Sequence, residues 1–213
     1  MTVWDTIYKK YQNGGLAWAS LKEDLHPSFV EFVKRASFVS KNALDIGCGD
    51  GKYLLFLKRM GFQVTGLDSS PTAISMARET VGNSGHFVVA DMFEYSSPPN
   101  AYDLIISHAA MHHGLKAKVV SLVTRIPSAL RTGGHVFLSL PSEYCRRNWP
   151  TMAGHKTLAD GTCIPVRGPE KGLPHSFFSR PEVEELFNNN YDDLSIGLDK
   201  YRRWIITGQK KPA

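Results

Sequence analysis

Leu44-Asp45-Ile46-Gly47-Cys48-Gly49-Asp50-Gly51 decides how this chain of 213 residues is read. Ahead of the glycines, 43–46 has the short apolar run of a buried strand. Behind them, 52–60 reads as a helix, with Leu54, Leu55 and Leu57 supplying its apolar contacts. A glycine turn between a strand and a helix belongs at the carboxyl edge of a parallel sheet, where open α/β sheets take their ligands. Gly47 and Gly49 remove side chains where a ligand would approach the backbone. The helix start beyond them offers free N–H groups and a partial positive charge.

The spacing is informative about the ligand. A dinucleotide fingerprint needs Gly-x-Gly-x-x-Gly, but the third glycine comes one residue early, at Gly51, and Lys52 stands in its place. A Gly-x-x-x-x-Gly-Lys-Ser/Thr phosphate loop is absent as well. Asp45, inside the strand ahead of the turn, would repel a phosphate. An acidic edge with a glycine turn suits a ligand with a positive end and no phosphate.

Outward from this turn, strands and helices alternate. Strands are expected at 63–67, 87–89, 102–107 and 135–140, with helices at 70–80 and 116–130, the latter disturbed near its end by Pro127. Helical spacing also marks 3–11, ended by Asn13-Gly14-Gly15, and a helix that starts at Pro27. A further helix is expected from Ser179 to about Phe187, and 193–198 with 201–207 alternate like an antiparallel edge hairpin. Alternation of this kind implies parallel pairing with right-handed crossovers. The expected fold class is α/β: a doubly wound, mostly parallel seven-stranded sheet with a C-terminal antiparallel hairpin. Between 141 and 175 apolar periodicity is lost, and a loop of that length points to function or motion.

Composition narrows the class. The 42% hydrophobic and 21% charged content is ordinary for a globular chain and excludes global disorder. The length suffices for one α/β domain with a full core. No apolar run could span a bilayer, and the N-terminus does not read as a secretory signal, so no membrane partner is expected. Cys48, Cys145 and Cys163 are an odd set without CxxC spacing. They indicate neither a disulfide framework nor a zinc ribbon, and a reducing, cytoplasmic setting is expected. A net charge of +5 is compatible with an anionic partner but too mild to establish nucleic-acid binding.

Three further acidic or pocket-edge segments follow the glycine turn. Asp68, with Ser69 beside it, ends the second strand about twenty residues on, where an acid hydrogen-bonds ribose hydroxyls. Asp91 could accept from an adenine amino group, and Met92 could pack on the ring. Taken singly, Asp68 or Asp91 would equally suit a helix cap or turn. The fourth strand runs out at Ser107-His108. Together with Leu130-Arg131-Thr132-Gly133-Gly134 and Ala109-Ala110-Met111-His112-His113, these residues resemble the class I S-adenosylmethionine-dependent methyltransferases, over roughly 42–140. The similarity to the thiopurine and tellurite-resistance enzymes within that class is weak.

The resemblance implies S-adenosyl-L-methionine as cofactor. Its methionine part is expected at Asp45, Gly47, Cys48 and Gly49, its ribose at Asp68 and Ser69, and its adenine at Asp91 and Met92. His108 and Trp18 complete the expected cofactor-binding set. It also implies a single domain: an N-terminal helical lid (1–40), with Trp4, Tyr8, Tyr11 and Trp18 covering the cofactor or merely packing; a cofactor core (42–140); a substrate-side insertion (141–178); and a C-terminal helix and hairpin (179–213). The acceptor is expected to be a small molecule. Adenine-N6 and amide-N chemistry is disfavoured because Ser107-His108-Ala109-Ala110 replaces the Asp/Asn-Pro-Pro-Tyr such enzymes carry. RNA or protein methylation, or a cofactor-binding subunit without catalysis, are the alternatives. If a general base is used, the candidates are His108, His112, His155 and His175, since histidine titrates near neutrality. His108, His112 and His113 have spacing that could suggest a metal site, but no cysteine or carboxylate cluster accompanies them, so no metal is expected.

Overall fold

The computed structural model describes residues 2–15, 24–82 and 84–212. In chain order the elements are α1 (Val3–Gln12), α2 (Pro27–Arg35), β1 (Asn42–Ile46), α3 (Lys52–Arg59), β2 (Gln63–Asp68), α4 (Pro71–Val81), β3 (His86–Val89), β4 (Tyr102–Ser107), α5 (Lys116–Ala129) and β5 (Leu130–Pro141). Then follow α6 (Glu143–Asn148), a 3-10 turn (Pro150–Met152), β6 (His155–Thr157), β7 (Cys163–Pro165), α7 (Arg180–Phe187), β8 (Tyr191–Leu198) and β9 (Arg203–Lys210).

Seven strands form one sheet in the order β3-β2-β1-β4-β5-β9-β8. The first five run parallel, and β9 enters antiparallel between β5 and β8. Every residue of β4 is buried, as expected of a central strand covered on both faces. Side chains alternate between two cores. Leu44, Ile105, Val136 and Leu138 meet α5 and α7 on one face, whereas Ala43, Leu104, Ile106 and Phe137 meet α2, α3 and α4 on the other. Buried Asp103 accepts from the backbone N–H groups of Ser40 (3.2 Å) and Asn42 (2.9 Å), which fixes the chain entering β1. Because β1, β2 and β4 are in parallel register, their carboxyl ends meet at one edge.

The structure differs from the sequence expectation in four places. Strand β5 begins at Leu130, ahead of Gly133-Gly134, because Leu130 pairs with Tyr102 across a bulge. The stretch read as irregular contains α6 and a two-stranded sheet, β6–β7. Three-residue strands are too short to show an alternating pattern. Tyr201 lies in a turn rather than in a strand, since β9 starts at Arg203. Pro127 leaves α5 running to Ala129: it sits in the last turn, so few helical bonds depend on it.

A cofactor cavity at the carboxyl edge

One cavity of about 490 Å³ opens where β1, β2 and β4 end. That is within the roughly 300–1,000 Å³ usual for small-ligand sites. Its floor is the glycine turn. Gly47 and Gly49 have φ of +77° and +54°, the left-handed region that favours glycine. A Cβ on Gly47 would stand 2.3 Å from the Ala110 Cβ, and one on Gly49 would stand 2.5 Å from the Tyr8 hydroxyl. The turn is held in place by Leu67 O, which accepts from Gly47 N (2.7 Å) and Cys48 N (3.0 Å). The first turn of α3 has no side-chain cap.

Asp68 ties this turn to the end of β2. Its Oδ2 accepts from Gly49 N (3.0 Å) and its Oδ1 from Ser70 N (2.9 Å). Burial raises its pKa, and the backbone N–H groups of Ser70, Gly49 and Ser69 partly offset that rise. Each carboxylate oxygen keeps a further acceptor position. Asp45 is buried on the cavity wall, and among the described residues nothing hydrogen-bonds to its carboxylate. Burial, then the charges of Asp68 and Asp50, push its pKa well above the usual carboxylate range. Burial followed by the same negative charges pushes the Tyr8 phenol and the Cys48 thiol up as well. A ligand that brings positive charge relieves this repulsion, so a sulfonium with an ammonium fits the donor set. The glycines carry no side chain of their own, so Ala110 and Tyr8 pack close against the turn beside the cavity.

Ser69, Met92 and His108 also line the cavity, as expected. Asp91 does not: it is exposed, and its Oδ1 accepts from Phe93 N (2.9 Å) to close a turn. Trp18 lies outside the described residues. Among the proposed bases only His108 reaches the cavity. Burial, then the charges of Arg203, His26 and Lys52, lower its pKa, so its imidazole is neutral at neutral pH. His112 and His175 are buried behind the wall, and His155 lies on β6, where its Nδ1 is 2.8 Å from Met152 O.

The structure adds residues that sequence reading did not assign to the cofactor site or to the candidate bases. His113, absent from the set of candidate bases, lines the cavity beneath the Trp4 ring, with centroids 4.6 Å apart. The β8–β9 turn brings Lys200, Tyr201 and Arg203 to the opposite wall. Asp199 organises that turn, accepting from the backbone N–H groups of Tyr201 and Arg203 (each 2.8 Å) and from Arg203 Nε (3.0 Å). His26 Nε2 stands 3.8 Å from the same carboxylate. The only sequence signal was the small basic cluster Arg202–Arg203, which does not reveal which edge the hairpin reaches.

Helix α1 contributes Trp4, Ile7 and Tyr8 to the wall, and Asp5 anchors it. Asp5 Oδ1 accepts from Ser70 Oγ (3.1 Å) and Thr72 N (3.1 Å), while Lys9 Nζ lies 3.0 Å from its Oδ2. Hydrogen bonding from Thr72, then Lys9, holds its carboxyl well below the usual range. Ser70 Oγ also accepts from Ala73 N (3.1 Å), capping α4. Ser70→Ala removes the cap and one tie to α1, so a loss of about 1–2 kcal/mol is expected in chemical denaturation. An unchanged midpoint would show that the cap is dispensable.

Comparison with known proteins agrees with this geometry. Residues 43–134 match the family described as methyltransferase domain. A ubiquinone biosynthesis O-methyltransferase of Vibrio cholerae is 26% identical over 186 residues, covering 81% of this chain and 72% of that protein. Nodulation protein S of Sinorhizobium fredii is 31% identical over 121 residues, and this match spans 55% of each chain. The crystal structure of PH0226 protein from Pyrococcus horikoshii shares the fold with a TM-score of 0.75 at 16% identity, covering 95% of this chain and 99% of that one. Residues 43–134 carry a methyltransferase domain, and the chain is similar to S-adenosylmethionine-dependent methyltransferases. Among the described residues, no helix is long and apolar enough to cross a membrane.

Proposed function

We propose that this chain transfers a methyl group to an oxygen of a small, anionic acceptor. The observation that carries the reading is the single cavity: Asp45, Gly49, Asp68 and Met92 line one part of it, and His108, His113, Lys200 and Arg203 line another. The Vibrio cholerae relative, named as an O-methyltransferase, supports an oxygen acceptor.

When bound, S-adenosylmethionine supplies a methyl group already activated on a sulfonium. Asp45 and the glycine turn would hold the positive end of the cofactor, Asp68 and Ser69 the ribose, and Met92 a face of the adenine. Holding two reactants in line lowers a barrier by roughly 7–11 kcal/mol, so positioning is the protein's main task. Lys200 and Arg203 orient the acceptor through its negative group, and Trp4, Ile7 and Tyr8 exclude water from the α1 side. The His108 imidazole, neutral because burial disfavours its charged form, is the candidate base that lines the cavity and could accept a hydroxyl proton. Three buried free thiols suit a reducing compartment, and we assign the chain to the cytoplasm.

Methyl incorporation from labelled cofactor is the direct test, using carboxylate-bearing alcohols and phenols, thiols, transfer RNA and a peptide mixture in parallel. Incorporation into the hydroxy acids is the expected result. Labelling of RNA alone, with steep loss of binding as salt rises, would replace this reading with a nucleic-acid methyltransferase. Cofactor binding without any turnover would indicate a non-catalytic subunit.

A further inference from the structure

Behind the acceptor wall, the fold gathers three histidines and a glutamate from distant segments. His112 and His113 follow β4, whereas Glu170 and His175 come from the stretch after β7. One ligand-type atom from each of His112, His113 and His175 lies within 4.8 Å of the others. The His112 and His113 ring centroids are 3.9 Å apart, and those of His113 and His175 are 4.7 Å apart. His112, His175 and Glu170 are buried.

Two observations point to a missing electrophile. First, Nδ1 of His112 and Nδ1 of His113 are buried without a hydrogen-bond partner, which is costly for polar atoms. Second, both nitrogens of His175 face oxygens that only accept: Nδ1 is 3.0 Å from Leu173 O and Nε2 is 3.1 Å from Glu170 Oε2. A cation shared by Nε2 and Oε2 would leave Nδ1–H to the carbonyl. That arrangement, a ligand histidine oriented by a carbonyl, is usual in metal sites.

We infer that His112, His113, His175 and Glu170 bind one divalent transition-metal ion of the zinc type. Three imidazoles and one carboxylate suit zinc, cobalt or nickel rather than magnesium or calcium. Metal bonds of ~2.0–2.2 Å in a tetrahedron set ligand atoms about 3.3–3.5 Å apart. The His175–Glu170 pair is already near that spacing, the three imidazoles need to close by about 1.5 Å at most, and Glu170, which contacts His175, has to move with it toward His112 and His113. The backbone is preset. Ser176 N donates to His112 O (2.9 Å), Ser176 Oγ to Gly114 O (2.7 Å), and His175 exchanges backbone hydrogen bonds with Cys163 (2.7 and 2.8 Å). His113 lines the cofactor cavity, which gives the ion a route in. Four protein donors leave no open position, which marks a structural ion that fastens the 108–114 turn to the 170–178 segment.

The test is titration of tag-free, chelator-stripped protein with Zn²⁺ alone, followed by calorimetry and thermal unfolding, with Co²⁺ as a spectroscopic stand-in. One ion per chain, a higher Tm reversed by chelator, and a visible Co²⁺ spectrum of tetrahedral type are expected. Glu170→Gln and His113→Ala should each weaken Zn²⁺ binding at least tenfold, while the β6 variant His155→Ala leaves it unchanged. Should a variant fail to fold, the wild-type Tm shift decides. No stoichiometric Zn²⁺ uptake by the wild type, or uptake unaltered in both ligand variants, would overturn the proposal. Cofactor binding is measured separately, so either outcome leaves the methyltransferase assignment standing.

Discussion

Asp68→Ala should lower the affinity for S-adenosylmethionine by at least about 100-fold in titration calorimetry. Its carboxylate is placed to accept from the ribose hydroxyls through the positions that Gly49 N and Ser70 N leave open. Hydrogen bonds to a charged group contribute ~1.5–3 kcal/mol each. Loss of two is therefore worth ~3 kcal/mol or more, and each 1.4 kcal/mol is a factor of about ten. The loss also releases Gly49 N, so the turn under the methionine part loosens as the sugar contact disappears. Far-UV circular dichroism on the same samples separates this from unfolding. Because burial disfavours the Asp68 charge, its removal offsets part of the stability lost with those hydrogen bonds. An unchanged dissociation constant would remove Asp68 from the cofactor site.

Asp45→Asn should move stability and binding in opposite directions. The buried carboxylate has no hydrogen bond to lose among the described residues, and its neighbours are negative. Its pKa in the folded chain is raised above the unfolded value of ~3.9. The native state therefore holds its proton more tightly, and stability falls as pH rises above the unfolded value until the folded pKa is passed. Asparagine abolishes that fall. The ligand-free variant should be more stable than wild type by about 1 kcal/mol, with the gap widening as pH is raised from 5. It should also bind the cofactor some tens of times more weakly, because nothing then answers the positive end. Thermal scans of both proteins across pH, with and without cofactor, read both effects. A variant that loses stability without cofactor would show that Asp45 is a structural acid.

The parallel half of the fold was legible because its strands are buried on both faces and its helices carry their own starts. Asp45, Gly47, Gly49, Asp68, Ser69 and Met92 fell where spacing put them, since a strand, a tight turn and a helix are local events. Asp91 lies outside the cavity lining, and its Oδ1 closes a turn on Phe93 N, as a carboxylate two residues before an N–H readily does. Arg203 and the pairing of Glu170 with His175 depend on long-range closure. No periodicity in 141–175 announces which turn of the chain it will touch.

The reversed direction of β9 has a consequence for how such an enzyme changes its preferences. Because Pro141, at the end of β5, pairs with Arg203, at the start of β9, the tip of the last hairpin arrives at the same rim as the parallel strand ends. Lys200 and Tyr201, at this tip, thereby line the pocket while contributing nothing to the glycine turn or to Asp68. Swapping or lengthening this tip is a route by which descendants of one ancestor diversify what they modify and inherit the donor machinery intact.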